Sequence, residues 1–189
     1  FTHFDGTVYY IDVDTKKVTK VDRSEMNPIR GYSWSSDSEW ITYAKASNVQ
    51  NSVIIAYHLT DNSIKTLTSP FYNCGSPVFS KDGKYLFYTS NRHFMPTYSN
   101  FDGTWVYNNS DVLMAATLLS SDASVIAPKN DMEKIAEDDD TDEKEEVKTD
   151  KKDKKEKSEE KKVEDLKIDV EGFEARSVQL PVAPGNFGF

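Results

Sequence analysis

The chain has 189 residues and a formal net charge of −9, and only 37% of its residues are hydrophobic. A globular domain has about 45–50% apolar residues, so part of this chain lacks the side chains that a core requires. A single cysteine excludes an intramolecular disulfide and a cysteine-based metal cage, and no apolar run is long enough to span a membrane.

The chain opens with two predicted strands, at 8–13 and 18–21, on either side of an Asp14-Thr-Lys-Lys17 turn. No initiator methionine and no apolar signal segment precede them. We therefore expect the sequence to be an excerpt whose parent protein holds any targeting signal. The compartment stays open between the cytoplasm and the periplasm of a prokaryote.

A block that occurs twice follows, at 34–43 and, 45 residues later, at 79–88. The two copies share a serine, an aspartate and a final tyrosine, and Trp40 and Ile41 are matched by Tyr85 and Leu86. An Asp-Ser or Asp-Gly turn separates two predicted strands in each copy. Two more strands are predicted after the first copy, at 53–59 and 64–67, which makes four per repeat.

Four antiparallel strands in about 45 residues are typical of a β-propeller blade. The predicted fold is all-β, a partial β-propeller of four-stranded antiparallel blades. Its predicted parts are a half blade at 1–30 with strands three and four, a complete blade at 31–75, a blade with a long insert at 76–182, and the start of another blade at 183–189. A β-sandwich is the alternative, but it does not predict a repeat at a fixed offset.

The last repeat has two enlarged loops. Its strands are predicted at 76–80, 85–90, 112–119 and 176–181, and antiparallel geometry puts the loops after the second and third strands on opposite rims. Exposed rings are a liability, so we expect the first loop, at 91–111, to pack against the next blade; lining a substrate path is the alternative. The loop contains six ring side chains: His93, Phe94, Tyr98, Phe101, Trp105 and Tyr107.

The second enlarged loop contains a charged insert at 131–167. Of its 37 residues, 17 are acidic and 11 are basic, and none is aromatic. Such a segment cannot bury enough apolar surface to offset the entropy of ordering it, so we predict a disordered loop. A solvated helix stabilised by i,i+4 pairs and a tail for a basic partner are the alternatives. Most of the negative charge lies here, and the composition gives no support to nucleic-acid binding.

Two stretches resemble known families. The sequence Ser80-Lys-Asp-Gly-Lys-Tyr-Leu-Phe-Tyr-Thr-Ser-Asn-Arg92 resembles the blade signature of TolB-like propellers and of dipeptidyl-peptidase-type propellers. A more specific order of motifs is similar to the tricorn protease family and covers nearly the whole chain. It consists of residues 92–107, then Ala127-Pro-Lys-Asn-Asp131, the charged insert, and Lys167-Ile-Asp-Val-Glu-Gly-Phe-Glu-Ala-Arg176.

The tricorn resemblance implies a large oligomeric serine peptidase with two propellers, a PDZ-like module and a catalytic domain, in which the propellers filter and guide peptides. This chain would be part of the second propeller, with the other domains of the parent and peptides as its partners. We expect no peptidase activity from the chain alone. The alternatives are a TolB-like protein-interaction propeller whose parent has no catalytic domain, and a dipeptidyl-peptidase-type propeller attached to an α/β-hydrolase domain.

No catalytic, cofactor-binding or metal-binding residue is predicted. The chain lacks a Gly-x-Ser-x-Gly motif, and His3, His58 and His93 have no metal-ligand spacing. Asp37 and Asp82 occupy equivalent turn positions, where a carboxylate accepts backbone N–H groups.

The candidate site is a peptide path on the 91–111 loop. Arg92 could anchor a peptide carboxylate or form a structural ion pair. The candidate path residues are Arg92, His93, Phe94, Tyr98 and Trp105.

Overall fold

The computed structural model describes residues 1–126 and 165–187. Within these ranges the chain is built from antiparallel sheets, and its only helical element is a short 3₁₀ helix. The predicted all-β fold, an open partial propeller of four-stranded blades, is confirmed. Of the predicted insert at 131–167, all but the last three residues lie outside the described ranges.

Three successive sheets form the blades, and within each sheet the strands follow the order of the chain. The half blade consists of β1 (Thr7–Ile11) and β2 (Val18–Arg23). The middle blade consists of β3 (Arg30–Trp34), β4 (Trp40–Ala46), β5 (Ser52–His58) and β6 (Ile64–Thr66).

The third sheet, which we call the insert blade, contains two long connections. Its strands are β7 (Cys74–Phe79), β8 (Tyr85–Ser90), β11 (Val112–Thr117) and β12 (Ser177–Gln179). A separate two-stranded hairpin, β9 (Thr97–Tyr98) and β10 (Trp105–Val106), lies between β8 and β11. The 3₁₀ helix, Glu174–Arg176, comes just before β12.

The half blade has one strand pairing more than the sequence predicts. Thr2 forms a bridge with Val8, and Phe1 and Tyr9 exchange hydrogen bonds of 2.8 and 2.9 Å. The first residues therefore run antiparallel to β1 on the edge that β2 leaves open.

The repeated block forms the same hydrogen-bonded turn in both copies. The hydroxyl of Ser35 donates to Asp37 and accepts from the backbone N–H of Trp40 at 2.9 Å. In the second copy Ser80 makes the same contacts with Asp82 and Tyr85, again with 2.9 Å to the backbone N–H. The 45-residue period is thus a period of turn geometry as well as of apolar residues.

The middle blade is buried on both faces. Successive side chains of a strand point to opposite faces, so Ile41 and Tyr43 contribute to the core shared with the half blade, whereas Trp40 contributes to the core shared with the insert blade. In β5, Ile54 and Ile55 likewise belong to different cores. Burial on both faces explains why this strand reads as a continuous apolar run and not as an alternation.

Equivalent residues differ in burial because their neighbouring sheets differ in size. Trp34 is 43% exposed and lies beside the two-stranded half blade, at an edge-to-face angle to Tyr10. Its counterpart Phe79 is 7% exposed and lies against the complete middle blade. The repeat therefore specifies an aromatic ring, and the adjacent blade determines how much of it is covered.

Residues 165–176, which we call the return segment, pack between the middle blade and the insert blade. Leu166, Ile168 and Phe173 are buried in the core that these blades share. The backbone N–H of Leu166 donates to Asp37 Oδ2 at 2.7 Å, and its carbonyl accepts from Trp40 Nε1 at 2.9 Å. Leu166 is thus part of the packed core, although it lies inside the stretch that composition assigns to the insert.

The return segment is also hydrogen-bonded to the end of β11. The N–H of Asp169 donates to the Leu118 carbonyl at 2.9 Å, and its carboxylate accepts from the N–H and hydroxyl of Ser120 at 2.8 and 2.7 Å. The Arg176 guanidinium donates to the carbonyls of Asp169 and Glu171. The Ile-Asp-x-Glu-Gly-Phe-Glu-x-Arg motif therefore has a structural role. It holds the return segment, which leads into β12, beside the residues that follow β11.

Candidate functional site

The candidate site is the loop 91–111 on one rim of the insert blade, which we call the aromatic loop. Its ends meet because Ser90 pairs with Val112 across β8 and β11, and the His93 N–H donates to the Ser110 carbonyl at 3.0 Å. Beyond this base the chain forms the β9–β10 hairpin, in which Tyr98 pairs with Trp105.

The hairpin turn is locally specified. Asp102 accepts hydrogen bonds from the N–H and hydroxyl of Thr104 at 3.2 and 2.9 Å. The Ser99 hydroxyl, followed by these two bonds, holds the pKa of the Asp102 carboxyl below its ordinary value. Gly103 has φ +68°, which a side chain would strain, and an added Cβ would lie 3.3 Å from the Tyr98 hydroxyl. The turn therefore has a defined conformation.

The rings of the aromatic loop are exposed. Phe94 is 77%, Tyr98 58%, Trp105 59% and Phe101 100% exposed. They contact one another in pairs: the Tyr98 and Trp105 rings are edge to face with centroids 5.5 Å apart, and Phe94 lies 5.6 Å from Tyr107. Within the described residues, the rest of the chain leaves most of the surface of these rings exposed. Packing of the loop against a further blade stays a prediction.

Arg92 lies at the base of the aromatic loop and is mostly buried. Its Nε donates to the Ser90 hydroxyl at 2.9 Å, its guanidinium carbon lies 4.6 Å from the Tyr72 ring centroid, and its Nη2 lies 3.7 Å from Glu174 Oε1. Of the two alternatives that the sequence leaves for Arg92, this geometry is that of a structural ion pair. His93 is half-buried beside it and contributes its N–H to the closure of the loop.

The sequence left a structural ion pair open for Arg92 but did not identify its partners, Glu174 and Tyr72. Glu174 lies 82 positions after Arg92 in the sequence and beyond the insert, so no local pattern brings the two together. The only sequence signal is that both residues lie in the motifs that carry the family resemblance.

The two turn aspartates have the predicted role. Burial works against ionisation of Asp37, but hydrogen bonds from Ser35 and from the N–H groups of Leu166 and Glu39 still leave its pKa below the ordinary value. The Ser80 hydroxyl lowers the pKa of Asp82 in the same way. Both carboxylates thus accept turn hydrogen bonds, and that of Asp37 also accepts one from the return segment.

The histidines lie apart from one another. His58 Nδ1 lies 2.8 Å from Asp61 Oδ1, and its ring stacks on Trp40 with a centroid distance of 4.4 Å. His3 Nδ1 lies 3.0 Å from Asp5 Oδ1 on the half blade. The backbone N–H of Thr7, followed by the His3 contact, lowers the pKa of Asp5 to about 2. In the part of the chain that the structure describes, no hydrogen bond joins a serine, threonine or cysteine side chain to a histidine ring, and no three His, Cys, Asp or Glu side chains are grouped to hold a metal ion.

Two further concave regions occur among residues 1–126 and 165–187. An apolar cavity of about 220 Å³ lies between the half blade and β3, lined by Val8, Tyr10 and Trp34 among others. A polar groove of about 580 Å³ lies between the turns of the middle blade and the return segment. The acidic side chains of this groove are mostly engaged internally, as Glu39 is with Thr60 and Asp61 with His58.

The described residues include no helix with the length and apolar character that a membrane span requires.

Comparison with known proteins identifies close similarities to one family. A family model described as "Tricorn protease second beta propeller domain" matches residues 4–188. A tricorn-like protease C-terminal subunit of Sulfurisphaera tokodaii is 28% identical over 175 residues, which is 93% of this chain and 17% of that protein. Tricorn protease homolog 1 of Streptomyces coelicolor is 30% identical over 127 residues, 66% of this chain and 12% of that protein.

A solved structure has the same fold. The crystal structure of the tricorn protease superposes with a TM-score of 0.68 at 19% identity, covering 98% of this chain and 16% of that one. The chain thus spans less than a fifth of the length of these relatives.

Proposed function

Because the chain belongs to the tricorn protease family, as part of the second β-propeller domain, we propose that it is a non-catalytic part of a serine peptidase that guides peptides toward a catalytic domain elsewhere in the protein. The observation that carries this proposal is the aromatic loop, whose ordered hairpin holds several rings in solvent at one rim. Peptides, the other domains of the parent protein and further copies of it are the proposed partners.

The chemistry of the loop suits transient contact with extended peptides. Tyr98 and Trp105 offer large apolar surfaces with a polar edge, and such rings contribute about 0.5–1.5 kcal/mol per aromatic contact beyond the area they bury. The carboxylate of Asp102 is engaged in the turn, and Arg92 is held at the base. An uncharged ring surface binds many side chains weakly, which suits a path better than a tight binding site. Phe94, near the end of the loop that follows β8, is a further exposed ring, and His93 before it is half-buried.

The test uses the full-length protein and the variant Tyr98→Ala/Trp105→Ala. If the loop guides peptides, kcat/KM for a long unstructured peptide should fall by roughly three- to tenfold, the equivalent of one lost aromatic contact. Hydrolysis of a short fluorogenic peptide that does not span the propeller should be unchanged, because the catalytic domain is untouched.

Phe4→Ala is the matched control, since Phe4 is an exposed ring in the turn before the half blade, whose core is shared with the middle blade. It should leave both substrates unaffected. Equal losses for the long and the short substrate, or no loss for either, would contradict the guiding role.

A further inference from the structure

We propose that Arg92 is a positioning residue: together with Glu174 it fixes the base of the aromatic loop to the return segment, and so determines where the exposed rings lie. The inference deepens the proposed function and rests on it for the role of the loop. It assigns Arg92 to the support of the peptide path and not to direct contact with a peptide.

The burial of Arg92 argues against contact with a ligand. Its Nη2 is inaccessible to solvent and makes no hydrogen bond within residues 1–126 and 165–187. The guanidinium lies between the Tyr72 ring, 4.6 Å from its carbon, and Glu174 Oε1, 3.7 Å from Nη2. A peptide carboxylate could reach Nη2 only by displacing one of these side chains.

Glu174 is itself held firmly, so it can act as a fixed point. Its Oε2 accepts a hydrogen bond from the Ser69 N–H at 3.0 Å, on the link between β6 and β7. The adjacent Phe173 is buried in the core, and Arg176 donates to two carbonyls of the return segment. The ion pair therefore joins the loop to a segment that is anchored in two blades.

The other contacts at the base fix the ends of the loop but not the direction of the hairpin. Asn91 and Asn73 exchange hydrogen bonds of 3.1 and 2.7 Å, and His93 bonds Ser110. These bonds close the loop where it leaves the blade. Arg92 is the residue between them whose side chain crosses to the return segment.

The test is amide hydrogen exchange in the full-length protein carrying Arg92→Lys or Glu174→Gln. Lysine keeps the charge but loses the planar fork and the stacking on Tyr72, and glutamine keeps an acceptor for Ser69 but loses the charge that faces Arg92. In each variant the amides of the β9–β10 hairpin should exchange about fivefold faster, as expected for the loss of about 1 kcal/mol locally.

A purely structural role would give a different pattern. If Arg92 only stabilised the blade, β8 and β11 would exchange faster by the same factor as the hairpin, and that result would overturn the inference. Unchanged hairpin exchange in both variants would also overturn it. The double variant should be no more affected than the more affected single variant, since both remove one interaction.

Arg30→Lys serves as the control, because Arg30 is an exposed arginine on β3, and it should leave hairpin exchange unchanged. The same variants separate this inference from the proposed function. Faster hairpin exchange with normal hydrolysis of long peptides would support the positioning role and count against guiding. Unchanged hairpin exchange, together with impaired hydrolysis of long peptides by Tyr98→Ala/Trp105→Ala, would support guiding and count against the positioning role.

Discussion

Asp37 and Asp82 occupy the same position in two copies of one turn, yet only Asp37 supports a second segment of the chain. In both, one carboxylate oxygen accepts the serine hydroxyl and a turn N–H. The other oxygen of Asp37 accepts the N–H of Leu166 at 2.7 Å. Equivalent positions in the repeat therefore have unequal energetic roles.

We expect Asp37→Asn to destabilise the protein more than Asp82→Asn. Asparagine keeps one acceptor for the turn but turns an NH₂ group toward Leu166, which leaves a part-buried backbone N–H without a partner, at a cost of about 1–3 kcal/mol. Asp82→Asn should cost less than about 1 kcal/mol. Amide exchange of β4 and β8 in the two variants measures the difference.

The pH dependence of stability provides the control for this comparison. The folded-state pKa of Asp37 lies below its ordinary value, so its carboxylate contributes stability above the unfolded pKa of about 3.9, and that contribution is lost as the pH falls through the folded pKa. The difference between the parent protein and Asp37→Asn should therefore narrow in acid. A difference that stays constant, or equal costs for the two aspartates, would contradict the assignment.

The half blade and the middle blade are joined by a polar contact beside their shared core. Lys45 Nζ on β4 lies 2.8 and 2.9 Å from the two oxygens of Asp22 on β2, and the Tyr43 hydroxyl donates to the same carboxylate at 3.0 Å. Burial and the facing carboxylate raise the pKa of Tyr43, so the hydroxyl remains a donor.

We expect Asp22→Asn to lower the free energy of local unfolding of the half blade by about 2–3 kcal/mol. The part-buried ammonium of Lys45 would then face a neutral amide and no longer a carboxylate. Tyr43→Phe should cost only about 1 kcal/mol, since the ion pair remains. Amide exchange of β1 and β2 relative to β5 measures the loss. Asp14→Asn, in the exposed turn of the same sheet, should have no effect; a similar effect from it would contradict the role of Asp22.

At the scale of elements, the sequence predicted the strands and turns that neighbouring residues specify. It missed the contacts between residues that are far apart in the chain. The strands of the middle blade and the turns at Asp37 and Asp82 follow from apolar runs and turn residues within ten positions of one another. The contact of Trp40 with Leu166 joins residues 126 positions apart, across a segment whose composition is uninformative about packing. The structural ion pair of Arg92 was one of the predicted alternatives, but its partner Glu174 was missed for the same reason. The position of the aromatic loop on a rim follows from strand order.

At the scale of the whole molecule, the described blades end in an apolar sheet face on the insert blade. On the insert blade, Val78, Phe87 and Val178 lie in register across the sheet, on the face away from the middle blade. Val78 is exposed and the other two are half-buried. Such a face is a typical site of association.

We expect the 189-residue chain, expressed by itself, to self-associate, and Val78→Lys to shift it toward the monomer by placing a charge on the apolar face. Sedimentation velocity over a range of concentrations measures both. Val49→Lys adds the same charge on an exposed loop of the middle blade and should change nothing. A monodisperse monomer with a sharp unfolding transition would contradict this expectation.

The hydrogen bonds of Asp169 to Leu118 and Ser120 have a consequence for protein engineering. These bonds hold residues 118–120, after β11, beside Asp169 of the return segment. The blade itself therefore sets the distance between these two points of the chain. We expect that a domain with closely spaced termini, grafted between residues 126 and 165, leaves the strand register unchanged. The connection between β11 and the return segment is thus a suitable insertion site for a reporter domain in the parent protein.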